Sequence, residues 1–216
     1  MTSQYEEGLT VFTGDGARSA APLRLANLLV VPPAPLVILI VGIPGAGKTT
    51  VARALAERFD AAACIEGDLV QSHFTVTGLV GPGDAPREES DRQLQLRWRN
   101  CACLAANFWA AGFTAVVEHA VGRRSWIDLF LAEVDAAPVS LIVLAPTLDV
   151  ALQRDQRRPD KQVAERFSHM DAELRAELAD LGWWLDTSNL TVNETVERLL
   201  TEGVDAGLLT KPTPRS

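Results

Sequence analysis

Lysine is scarce. Among 20 basic side chains only Lys48, Lys161 and Lys211 carry an ammonium group, and the remainder are arginines. Acidic residues outnumber basic ones, 28 to 20, for a formal charge of −8. That balance argues against nucleic acid or an anionic membrane as the main partner. Cysteine is scarce too: Cys64, Cys101 and Cys103 make an odd number with no C-x-x-C pair. They read as reduced, mostly buried thiols of a cytoplasmic protein rather than a disulfide framework. No basic-then-apolar leader opens the chain. The apolar stretch at 28–43 is cut by Pro32, Pro33 and Pro35, so it cannot be one membrane helix. Low-complexity tracts and internal repeats are also missing, and a cytoplasmic location is expected.

What is present is an ordinary globular composition, 47% hydrophobic and 22% charged over 216 residues, enough for one well-buried domain. Residues 1–34 lack a sustained period and end in VVPPAP, which reads as an N-terminal extension closed by a proline boundary. From Leu36 the pattern becomes regular. LVILIV is the unbroken aliphatic run of a strand buried on both faces. A helix is expected over 49–59, a short strand at 63–66 and a loop at 81–86. A long helix at 87–111 comes next, its apolar positions Leu94, Trp98, Cys101, Ala105 and Phe108 recurring at helical spacing, with Gly112 as its cap. Strands at 114–118, 139–145 and 182–186 alternate with helices at 124–134, 148–157 and 170–181. The last helix opens with a capping box, Thr191 and Glu194, and closes at Gly203, with 204–216 as a C-terminal tail. Apolar strands alternating with helices predict parallel βαβ units, hence one three-layer α/β domain over 35–203.

The chemistry starts at Gly42-Ile43-Pro44-Gly45-Ala46-Gly47-Lys48-Thr49, which fits G-x-x-x-x-G-K-[ST] at every fixed position. The glycines leave room for backbone N–H groups to ring phosphates at the positive end of the next helix, which Thr50 continues. Lys48 is expected at the β- and γ-phosphates of ATP, and the Thr49 hydroxyl on Mg²⁺. Residues downstream of the loop decide what kind of protein carries it. A GTPase needs D-x-x-G and N-K-x-D; neither occurs. The chain has no Asp-Glu pair at a strand end and no L-S-G-G-Q-type signature, which motor and transporter ATPases use. A small kinase needs an acceptor-binding acid and closing arginines. CIEGDLVQSHF supplies the acid: Glu66 and Asp68, two apart at a strand end, are expected on one side and both at the substrate, one helping to organise Mg²⁺ through water while the other accepts the proton of the acceptor hydroxyl. ALQRDQRRPDK supplies Arg154 and Arg158, leading into a polar segment at about 157–170 that reads as a lid.

These stretches, with LAPTLDVALQRDQRR and LDTSNLTVNETV, resemble the small-molecule kinases of the P-loop class over about residues 36–203: shikimate kinase, gluconate kinase and chloramphenicol phosphotransferase. The resemblance implies a P-loop NTPase fold with a five-stranded parallel sheet in the order 2-3-1-4-5. It further implies Asp68 as the acceptor base, Arg154 and Arg158 as lid arginines, and adenine contacts from Asp186, Thr187, Ser188 and Asn189. There are departures. VVEHAVGRR replaces the Gly-rich turn that shikimate kinases carry after the third strand, and the D-G-F-P-R of nucleoside monophosphate kinases is missing. His119, Arg123 and Arg124 are left as substrate-binding candidates, and Glu118 as a further metal ligand. Trp109 and Trp126 are open between core and an aromatic acceptor pocket. The expected activity is an ATP- and Mg²⁺-dependent transfer to a hydroxyl of a small molecule, antibiotics among the candidates, by a monomer or homodimer. The alternatives are a kinase of a nucleotide sugar or nucleic-acid end, and an ATP-binding regulator without catalysis.

Overall fold

The structure is a computed structural model and describes residues 34–209 apart from 122, 135, 160 and 161. The expected extension at 1–34 lies almost entirely outside the described residues. The aliphatic run forms β1 (Val37–Gly42), whose first five side chains are fully buried. It pairs in parallel with β3 (Thr114–Ala120) on one side and β4 (Val139–Leu144) on the other. β2 (Ala62–Glu66) extends the sheet beyond β3, and β5 (Trp183–Leu185) beyond β4. The order is β2-β3-β1-β4-β5, all parallel, as the resemblance implied. Because the central strands are covered on both faces, each large side chain is removed from water at roughly 1.5–3 kcal/mol.

The helices follow the expected alternation. α1 (Lys48–Ala56) leaves the glycine-rich loop, and α3 (Arg87–Ala110) begins with Glu88 and Glu89 in its first turn, where the helix dipole favours acids. α4 (Arg124–Val134) and α5 (Leu148–Gln156) link β3 to β4 and β4 onward. The capping box at Thr191 and Glu194 is formed at the start of α7 (Val192–Arg198). Three expectations need correction. Residues 67–74, read without an element, form α2 (Gly67–Phe74) directly off β2, so Glu66 and Asp68 do not share a strand face. α6 (Met170–Glu177) stops four residues short of the expected end. The last helix does not close at Gly203. It passes through a π-helical turn (Leu199–Gly203) into α8 (Val204–Ala206), after which residues 207–209 return to the sheet. There the Leu141 N–H donates to Gly207 O at 2.8 Å and the Leu209 N–H to Val139 O at 2.9 Å, closing the half of β4 that three-residue β5 leaves open. The expected tail is therefore part of the fold as far as Leu209. Among the described residues no helix is long and apolar enough to cross a membrane.

Candidate active site

The carboxyl ends of the strands open into one cleft of about 800 Å³, the edge at which open parallel sheets bind ligands. Its floor is the loop from β1 to α1, with Pro44 through Thr50 lining it while Gly42 and Ile43 lie behind. Gly45 takes a positive φ of 81° and packs so tightly on α5 that a Cβ there would fall on the Ala151 carbonyl. The loop is thus held against the domain by the lack of a side chain. Lys48 is 8% exposed, and its Nζ donates to Ile43 O at 2.9 Å, so the ammonium is parked over the loop.

Glu118, near the end of β3 and 5% exposed, meets this floor from the side. Burial raises its carboxyl above the usual range, while the Lys48 charge and a hydrogen bond from Thr49 pull it back. Lys48, Thr49 and Glu118 therefore gather where the sequence placed phosphate and metal chemistry. The residues fit a polyphosphate with a divalent cation: an ammonium and open loop amides for the anion, a hydroxyl and a buried carboxylate for the cation. Among the described residues no three His, Cys, Asp or Glu side chains converge as a metal cage. A cation here would take most of its ligands from phosphate and water.

Asp68 lines the same cleft from the first turn of α2. It accepts a hydrogen bond from Arg97 Nη1 at 2.8 Å. Arg97 escapes a sequence reading because the helical stripe of α3 stands out through its apolar members. Its side chain is only 5% exposed, against 57% for Asp68, and such burial is rare for arginine without a partner. His119 lies beneath, fully buried and stacked on Trp98 with centroids 4.0 Å apart. Its Nδ1–H donates to Ala120 O at 2.7 Å. Burial first, then the charge of Arg97, holds the imidazole well below its usual value, so it is neutral. Gly67 is what lets α2 sit so close, since a Cβ there would stand 2.5 Å from His119 Cδ2.

The remaining candidates divide. Arg123 and Trp126 line the cleft, but Trp109 does not; it donates to Pro35 O at the far end of the sheet. Glu66 turns instead to Arg53 on α1 and Arg124 to Asp180, at 3.0 Å, so neither lines the cleft. Both belong to ion pairs on the outside of the site. Of the expected base loop only Thr187 reaches the cleft wall, which continues through Leu190, Thr191, Val192 and Thr195. Asp186 accepts from Ser188 N and Oγ, and Ser188 Oγ from Thr147 N, so these two shape the loop; Asn189 is exposed outside it. Arg154 is fixed to Thr187, donating to its carbonyl at 2.7 Å. Arg158, 3.6 Å from Asp155, lines the opening. Buried Asp155 accepts from Val163 N and Ala164 N at 2.6 and 2.7 Å, anchoring the segment expected to be a lid. That segment reaches over the mouth, where Arg166 meets Asp84 of the 81–86 loop at 2.8 Å. The thiols take no part: burial pushes Cys101 up to about 12 and Cys64 to about 11.

The same fold is found in a sugar kinase from Janibacter sp. HTCC2649, at 20% identity and a TM-score of 0.61, covering 80% of this chain and 95% of that one. A tunicamycin resistance protein from Deinococcus radiodurans aligns at 22% identity and 0.59, covering 82% and 99%. A shikimate kinase from Bacteroides thetaiotaomicron aligns at 18% and 0.56, covering 76% and 96%. At these identities the likeness is one of fold. No curated protein sequence gives a significant match. Residues 37–181, from β1 to the threshold of β5, match the AAA domain family, and the chain, built on the fold of the small P-loop kinases, belongs to that family.

Proposed function

We infer that this chain transfers the γ-phosphoryl group of ATP, with Mg²⁺, to a hydroxyl of a small molecule. One observation carries the reading: the phosphate loop with Lys48 and Thr49, and a carboxylate held by a buried guanidinium, Asp68 with Arg97, line the same cleft. A nucleotide binder without chemistry needs only the first of these. The loop amides would ring the phosphates, and Lys48 would exchange Ile43 O for the β- and γ-oxygens. Mg²⁺ at the Thr49 hydroxyl, with Glu118 behind it, would offset phosphate charge when bound. Asp68 Oδ would take the proton of the acceptor hydroxyl, and the hydrogen bond from Arg97 would keep that carboxylate aimed. Arg158, on the cleft wall, would meet the transferring group, whereas Arg154 would serve the base loop through Thr187. In this reading residues 35–209 are the kinase domain, and the segment at about 157–170 is a lid excluding water.

The test is ATP consumption against a panel of hydroxylated metabolites and antibiotics, with Lys48→Ala as the comparison. An acceptor should stimulate turnover in the native chain and not in the variant, which should stay folded but bind ATP more weakly. Near-normal turnover by folded Lys48→Ala would refute the assignment.

A further inference from the structure

The cleft does not end at Asp68. A second hollow of about 540 Å³ continues from it over the rim between α3 and α4, and Asp91, Arg123 and Trp126 line both. A compact acceptor seated at Asp68 would leave this groove empty. The groove has one flat wall. Trp126 is half-buried and nearly parallel to Trp98, at 9° with centroids 6.5 Å apart. Trp98 is itself stacked on His119. The column fixes the plane of Trp126 before any ligand arrives, so stacking on it loses little conformational freedom.

Around that plane stand planar hydrogen-bonding groups. Asp91 and Gln95 project from α3 four residues apart, hence from one face, and Arg123 precedes α4. Their side chains make no hydrogen bond or ion pair among the described residues. A carboxylate, an amide and a guanidinium can each engage two neighbouring hydroxyls at once, because a hydroxyl both donates and accepts. The charges point the same way. Arg92 is forked onto Glu89 at 2.7 Å through both Nε and Nη2, which leaves Glu88 and Asp91 against Arg123. The groove is therefore neutral to slightly acidic and does not suit a phosphate or carboxylate tail.

We propose that the acceptor is a glycoside: the ring bearing the reactive hydroxyl sits at Asp68, and a second, neutral or amino-substituted sugar ring lies on Trp126 between Asp91, Gln95 and Arg123. The proposal rests on the kinase reading for the role of Asp68, but its own claim is a distal sugar subsite. Its test is therefore a binding measurement. The full chain, with a non-hydrolysable ATP analogue, is titrated by calorimetry with glucose, glucosamine, maltose, cellobiose and chitobiose. At least one disaccharide should bind about tenfold tighter than its monosaccharide, the difference one stacked ring with its hydrogen bonds supplies. Trp126→Ala should bring that ratio close to one. Trp126→Phe, which keeps a flat ring, should retain most of it, and affinity for the nucleotide analogue shows that each variant is folded. The proposal is overturned if none of these sugars binds, if no disaccharide outcompetes its monosaccharide, or if Trp126→Ala leaves the ratio intact. A disaccharide held through Trp126 but never phosphorylated from ATP would refute the kinase reading and leave the subsite standing.

Discussion

Asp68→Asn separates chemistry from architecture, and its cost is set by an asymmetry. The guanidinium of Arg97 is 5% exposed and the carboxylate of Asp68 57%, yet they are bonded at 2.8 Å. Asparagine keeps an oxygen for Arg97 Nη1 but removes the countercharge from a guanidinium that water hardly reaches and whose Nε has no partner. Stripping one partner from a fully buried pair costs about 3–5 kcal/mol. With Asp68 half in water and one hydrogen bond retained, about 1–2 kcal/mol is expected here. In a domain of this size that lowers Tm by about 2–8 °C. Turnover should fall much further, by roughly two to four powers of ten, because the variant lacks the proposed proton acceptor. Arg97→Met runs the opposite way: it removes the buried charge itself, so stability should change less than in Asp68→Asn, while the carboxylate loses the contact that orients it. The assays are thermal unfolding by circular dichroism, steady-state kinetics and a separate nucleotide titration. Full turnover in Asp68→Asn would refute the base assignment. A loss of turnover that merely tracks nucleotide affinity would do the same, and a larger Tm drop in Arg97→Met would refute the argument from burial.

The proposed lid makes a hydrogen-exchange prediction. The amides of Val163 and Ala164, bonded to Asp155, should exchange slowly without nucleotide, whereas residues 165–169 should slow only when an ATP analogue is added. Strong and equal protection in both states would argue against closure. Two buried groups predict opposite pH dependences. His119 is held below its ordinary 6.5 by burial, so the folded chain binds fewer protons than the unfolded one. Its contribution is complete above pH 6.5 and declines as pH falls below it, and His119→Gln should flatten that slope in denaturant melts. Glu118 is raised above 4.5 by burial, so its contribution is complete below pH 4.5 and is lost as pH rises. Glu118→Gln should therefore be more stable than the native chain at pH 7, with the gap closing toward pH 4.5; a less stable variant at neutral pH would contradict this.

Much of the architecture is legible in the sequence because it rests on patterns displayed there directly. The aliphatic run of β1, the phosphate loop and the capping box at Thr191 each state a local geometry, and the structure has all three. The strand order comes through resemblance. The misses share a cause in tertiary context. Glu66 and Asp68 look like neighbours on a strand end, but the chain turns into α2 at Gly67, which the close approach of His119 requires. Arg97 carries no signal of its own in a helix full of arginines; only the fold shows that it is buried against Asp68. Arg124 and Glu66 have the composition of site residues, yet each has an opposite charge outside the cleft. Of the loop expected at the base, Asp186 and Ser188 hold their own turn, and the cleft wall runs on from Thr187 through Leu190, Thr191, Val192 and Thr195.

The return of residues 207–209 to β4 has a consequence for synthesis. Half of β4 waits for a partner encoded some seventy residues later. Until that partner leaves the ribosome, the nascent chain presents an open strand edge, the feature most prone to pair with a neighbouring chain. Native closure of the sheet is therefore a late event, and a chain cut before Gly207 should emerge as an aggregating one, however complete its cleft.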